Sequence, residues 1–230
     1  MVIGRTKVLH LTSDRGKPRI VARDADVAQG VEFLVALEPR FGRVVEEHGL
    51  PPLRRVENGL PSLLHIITEQ LISLTAAAAI WRRIEARLHP FEPAAILEIG
   101  LDEFRQLGLS GAKARCFHAI SKAVHQGELN FELMAEMSDG AVAAMLLALP
   151  GVGPWTADIY ALSALGRADI CVSGDLALQV AAQDLFGLSE RPGSRAFLVI
   201  AEGWRPWRSV AARLLWSHYR GLKDLSQALK

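Results

Sequence analysis

The chain has 230 residues, 50% of them hydrophobic and 22% charged, with a formal net charge of +1. That balance supplies a sizeable core and excludes an intrinsically disordered chain, while the small net charge says little about an acidic partner. Its apolar runs are too short to cross a bilayer, and residues 1–10 lack the hydrophobic centre of a secretory signal, which points to the cytoplasm. Residues 1–25 are polar, punctuated by Gly16 and Pro18, and read as a leader with at most a remnant strand pair. Asp26 is the expected N-cap of a helix to about Leu37, with Val31, Leu34 and Val35 on one face. A short helix over Arg40–His48 follows, then a loop over 49–59 with two prolines and the pair Arg54, Arg55. From Leu60 the residues Leu63, Leu64, Ile67, Leu71 and Leu74 keep helical spacing, which predicts one helix running through 70–73 into the alanine-rich stretch 76–88. Pro90 and Pro93 end it, and further helices are predicted over 93–99, 102–107 and 111–125, with stops at Gly100, Gly108 and Gly127. Alternating β-branched runs are few, so the expected fold class is all-α, and there is no tandem repeat.

Ser138 caps a helix ending at Leu149, and the next residues are Leu149-Pro150-Gly151-Val152-Gly153-Pro154-Trp155-Thr156. Two glycines one residue apart make a tight reversal, and Pro154 suits the first turn of the helix that follows. Such a turn opening a helix is a good phosphate seat, but it is equally a plain connection. After a short connection over 166–173, Gly174-Asp175 opens a helix over Leu176–Phe186. By itself Asp175 is an ordinary N-cap. Two cysteines far apart, Cys116 and Cys171, exclude an iron–sulfur cluster held by four. The seven histidines show no H-x-x-x-H or H-E-x-x-H spacing, which argues against a metal held by side chains.

The glycine hairpin, with Asp175 twenty positions after Trp155 (175 − 155), resembles the helix-hairpin-helix DNA glycosylase superfamily. Within it the chain is similar to the bacterial DNA-3-methyladenine glycosylase II branch, over roughly residues 35–220. Supporting stretches are Gln70-Leu71-Ile72-Ser73, Leu107-Gly108-Leu109-Ser110 with Lys113, and Pro206-Trp207-Arg208-Ser209 within 204–216. The resemblance implies a bilobed helical bundle, with one lobe over about 60–175 and the other over 26–59 plus 176–230. The active-site cleft would lie between the lobes. It implies a carboxylate, Asp175, beside the sugar C1′ of a flipped nucleotide, where it stabilises oxocarbenium charge. Trp155 stands where bifunctional members carry a Schiff-base lysine, so the expectation is hydrolysis without strand cleavage. Trp155, Trp216 and Gln70 are the expected base-pocket residues, and an indole face favours a cationic alkylated purine. Gly151, Gly153, Thr156 and Arg208 are the expected phosphate contacts, within a basic segment over 203–223 that also holds Arg205, Arg213, Arg220 and Lys223.

The expected partner is double-stranded DNA with a damaged base, bound by a monomer at the nucleoid. No cofactor is expected beyond a monovalent cation at the hairpin carbonyls. The loop before Leu60, with Leu53 and Leu60, is the candidate wedge into the duplex, or else a hydrophobic staple. The chain departs from the longer bacterial enzymes in lacking their N-terminal extension, or reducing it to 1–25, and in carrying Glu69 where many have glutamine. His65, His118 and His125 fit helix faces as structural residues. Two other readings stay open: the same fold acting on another lesion class, and a helix-hairpin-helix module that binds DNA without catalysis.

Overall fold

The computed structural model describes residues 18–228, with side chains described as far as residue 224. In chain order its helices are α1 (Asp24–Leu37), α2 (Arg40–His48), α3 (Leu60–Glu69), α4 (Leu74–Leu88), α5 (Pro93–Glu98), α6 (Leu101–Leu107), α7 (Gly111–His125), α8 (Phe131–Glu136), α9 (Asp139–Leu147), α10 (Pro154–Ser163), α11 (Leu176–Phe186), α12 (Ser194–Ala201) and α13 (Arg208–Ala228), with a 3-10 turn over Glu202–Trp204. The fold is all-α. Among the described residues the β pairing is one isolated antiparallel bridge, between Ile20 and Arg167. No described helix is long and apolar enough to cross a membrane.

The helices pack in two groups. In the first, α3 packs on α4, α7 and α10, α7 carries α5 and α6, and α9 packs on α10. In the second, α13 packs on α1, α2 and α11. The connection after α10 joins the groups, and buried Arg167 anchors it. Its Nη2 donates to the carbonyls of Ala135 and Met137, both at 2.8 Å. Those carbonyls close α8, where the helix dipole favours a cation.

Three local readings are corrected. Asp26 is not an N-cap; Arg23 is, and Asp26 sits inside the first turn. Its carboxylate reaches back to accept from the N–H groups of Ala22 (2.8 Å) and Arg23 (2.9 Å), and the helix starts three residues earlier than expected. Second, the leader does not extend to residue 25. Val21 is buried and donates its N–H to Gly166 O at 2.8 Å, while Ala168 donates to Arg19 O at 3.0 Å. The rest of that leader, residues 1–17, lies outside the described residues.

Third, the long helix from Leu60 is two helices. α3 stops at Glu69, Leu71 has φ +59°, and Ser73 caps α4 by accepting from Ala76 N–H at 3.2 Å. The physical cause is a competing donor from far along the chain. Lys113 Nζ donates to the carbonyls of Thr68 (2.8 Å) and Gln70 (2.7 Å), satisfying acceptors at the end of the helix.

Candidate active site

The reversal between α9 and α10 needs glycine at one position only. Gly151 has φ +82°, and a Cβ there would lie 2.8 Å from Cys116 Sγ. Gly153 has ordinary extended backbone with nothing within 4 Å of a Cβ, so glycine there leaves the chain bare without a steric demand. Pro154 opens α10, whose first N–H groups have no partner within the helix and form the positive end of its dipole.

From the second residue of α10, Trp155 Nε1 donates to Asp175 Oδ2 at 2.9 Å. Asp175 caps α11, its Oδ1 accepting from Leu178 N–H at 3.1 Å. From α13, Trp216 Nε1 donates to the same Oδ1 at 3.3 Å. The carboxylate therefore takes three N–H donors, one from each of α10, α11 and α13, and lies where the two helical groups meet. A carboxylate has about four lone-pair sites, so one remains for a water or a sugar. Asp175, Trp155 and Trp216 are each half-buried, held in place yet reachable.

The other residues singled out in the sequence fall elsewhere. Gln70 is committed to the hairpin: its Nε2 donates to Thr156 Oγ1 at 2.7 Å and to Gly151 O at 3.3 Å. It braces the turn over 70–73 against the reversal. Thr156 is 1% exposed, so its hydroxyl cannot meet a phosphate. Arg208 is also withdrawn from that role. Its Nε donates to Asp169 Oδ1 at 2.7 Å, and its Nη2 to Asp169 O at 2.7 Å and Oδ2 at 3.0 Å. Arg205 pairs with the same Asp169 and with Glu202. Arg213 is 4% exposed; its burial, with Arg55 and Arg54 nearby, pulls it down to about 10. Within 203–223, Arg205 and Arg208 are thus ion-paired and Arg213 is buried, while Arg220 and Lys223 remain exposed. A monovalent cation at the hairpin would share carbonyls already engaged, Gly151 O by Gln70 and Leu149 O by Val152 N–H at 3.2 Å.

Two residues that sequence reasoning passed over stand out. Leu71 is fully exposed at 103% and holds a left-handed backbone conformation that few non-glycine residues adopt. Ile72 and Leu74 beside it are exposed as well, which makes an apolar tip on a turn anchored by Gln70 and Lys113. The wedge expected from the loop before Leu60 is displaced by this geometry, since Leu60 is buried and Leu53 packs on the core. Helical periodicity hid Leu71 by placing it on an apolar face. The second residue is Asp158, one turn beyond Trp155. Burial pushes its carboxyl up to about 7, against the opposing pull of Arg208.

The model of the HhH-GPD superfamily of base excision DNA repair proteins matches residues 64–207. The chain is similar to the alkylbase DNA glycosidase-like protein mag2 of Schizosaccharomyces pombe, with 24% identity over 203 residues, covering 85% of this chain and 95% of that one. It is 26% identical over 184 residues to YfjP of Bacillus subtilis, covering 75% of this chain but only 63% of that protein. Among solved structures it resembles a DNA-3-methyladenine glycosidase from Bacillus halodurans, with 28% identity, a TM-score of 0.73, and 90% and 94% of the two chains covered.

Proposed function

The chain belongs to the HhH-GPD superfamily of base excision DNA repair proteins, and from that premise we propose that it is a monofunctional DNA glycosylase. It flips an alkylated purine of the 3-methyladenine type out of duplex DNA and hydrolyses its N-glycosidic bond. The observation that carries this reading is the Asp175 carboxylate, gripped by indole N–H groups from α10 and α13. Departure of the base leaves positive charge at C1′ and the ring oxygen, and a fixed carboxylate stabilises it with no reorganisation at the moment of reaction. The lone-pair site not taken by Trp155, Trp216 and Leu178 suits the attacking water. Fixing each indole by its N–H leaves its π-face for the base, and a purine made cationic by alkylation gains up to ~2 kcal/mol from such a face once desolvated. The relatives from fission yeast and Bacillus halodurans, both named for alkylated bases, support that lesion class.

DNA enters from the hairpin side. The bare backbone at Gly151 and Gly153 and the positive end of α10 suit a phosphate, while Leu71 suits the gap that flipping leaves in the stack. Trp155 supplies an N–H donor and no amine, so no Schiff base forms there and the strand stays intact. The test uses duplexes carrying 3- or 7-methylpurine, uracil or 8-oxoguanine, with the freed base identified by chromatography and the strand sized before and after alkali. The expected result is methylpurine release, with breakage only after alkali. Release of the oxidised or deaminated base alone would move the lesion class, and tight binding without any release would favour a DNA-binding module. Trapping by borohydride would overturn the monofunctional assignment.

A further inference from the structure

On the face of the second helical group, the end of α2 meets α11 and α13 at a cluster of titratable side chains. One ligand-type atom from each of Glu47, His48 and His218 lies within 4.8 Å of the other two. His48 Nε2 is 3.7 Å from Glu47 Oε2. His218 is 8% exposed, and its Nε2 lies 2.7 Å from Asp184 Oδ2. With Nε2 turned to Asp184, Nδ1 is the ring nitrogen left to meet another partner. That Nδ1 is buried and has no hydrogen-bond partner. α13 is also shaped to admit the second imidazole: a Cβ at Gly221 would collide with the His48 ring. Glycine thus lets His48 press against α13 one turn from His218.

We propose that Glu47, His48 and His218 form a binding site for a divalent first-row transition-metal ion, with zinc the best match. Two imidazole nitrogens and a carboxylate are a three-ligand zinc set, leaving the fourth position to water. Asp184 then plays the part of the carboxylate that orients a ligating histidine through its other nitrogen. Nitrogen ligands disfavour magnesium and calcium, which take oxygen. The ion ties the C-terminal end of α2 to α13, and the exposed Glu47 leaves a path for it to enter. Local spacing could not reveal the set, because the two histidines stand 170 positions apart (218 − 48).

The test takes the full-length protein stripped with EDTA and titrates it with zinc chloride, following heat and thermal unfolding, with magnesium chloride as the control. One equivalent of zinc is expected to bind and raise the melting temperature, while magnesium gives neither effect. His48→Gln and Glu47→Gln are expected to weaken zinc binding by roughly tenfold or more while retaining the helical circular dichroism and base release of the unsubstituted protein. X-ray absorption at the zinc edge is expected to show imidazole and oxygen scatterers. Absence of a zinc-dependent heat, undiminished binding in both variants, or sulfur scattering that assigns the ion to Cys116 or Cys171 would each overturn the proposal.

Discussion

Asp175→Asn replaces one carboxylate oxygen with an NH2 group and leaves the size of the side chain unchanged. In the folded protein that oxygen has work to do, because Asp175 accepts from Trp155, Trp216 and Leu178 through two oxygens. The amide keeps one acceptor, which can stay on Leu178 and Trp216. Its NH2 then faces the Trp155 N–H at 2.9 Å, donor against donor. One hydrogen bond to a charged group is lost, a cost of about 1.5–3 kcal/mol. The helix cap survives, since asparagine caps as well as aspartate. Against a typical total of about 5–15 kcal/mol the variant stays folded. The chemical step suffers more: removing a preorganised electrostatic group commonly costs about 2.7–4 kcal/mol of transition-state stabilisation, or ~100- to 1000-fold in rate. Single-turnover base release from a methylated duplex, at saturating enzyme, reads this directly, with duplex affinity and melting temperature measured in parallel. Trp155→Phe removes one donor but keeps the charge, and so is expected to fall between the variant and the unsubstituted protein. Release by Asp175→Asn at a rate within an order of magnitude of the unsubstituted protein, with the fold intact, would refute the assignment of Asp175.

Leu71→Ala is expected to change stability by less than about 0.5 kcal/mol, since the side chain is fully exposed. It should nonetheless slow base release from duplex DNA by roughly tenfold, because an unstacked gap costs a few kcal/mol to hold open; equal rates on duplex would remove Leu71 from the wedge role. Gly151→Ala meets both a φ of +82° and the Cys116 sulfur, so a loss on the order of 1–3 kcal/mol is expected in urea unfolding, whereas Gly153→Ala, with open space, should leave stability unchanged. Burial lifts the Asp158 carboxyl from 3.8 to about 7. Between those values the native state holds a proton that the unfolded chain releases, so the contribution of this group to stability falls as pH rises through the window. Asp158→Asn is therefore expected to exceed the unsubstituted protein in urea midpoint above pH of about 7, with the gap closing toward about pH 4; parallel curves would show that Asp158 titrates normally.

Much of the site was already written along the chain. The all-α class, the reversal at Gly151–Gly153 and the cap at Asp175 depend on preferences that act within one or two turns, so glycine, proline and capping residues announce them locally. Side-chain partners obey no such local rule. Arg208 looks like a free cation in the sequence and is held by Asp169, 39 positions away; Gln70 looks like a pocket residue and is tied to Thr156, 86 positions away. Leu71 keeps the period of an apolar helix face, yet Lys113 draws the carbonyls of Thr68 and Gln70 out of that helix and leaves the leucine in solvent. The sequence by itself determined the reversal at Gly151–Gly153 and the cap at Asp175, but not the start of α1 or the turn over 70–73. Which donor finds which acceptor, and so which residues remain available for DNA or for a metal ion, was decided only when distant helices packed together, because a hydrogen bond depends on distance in space and not on separation along the chain.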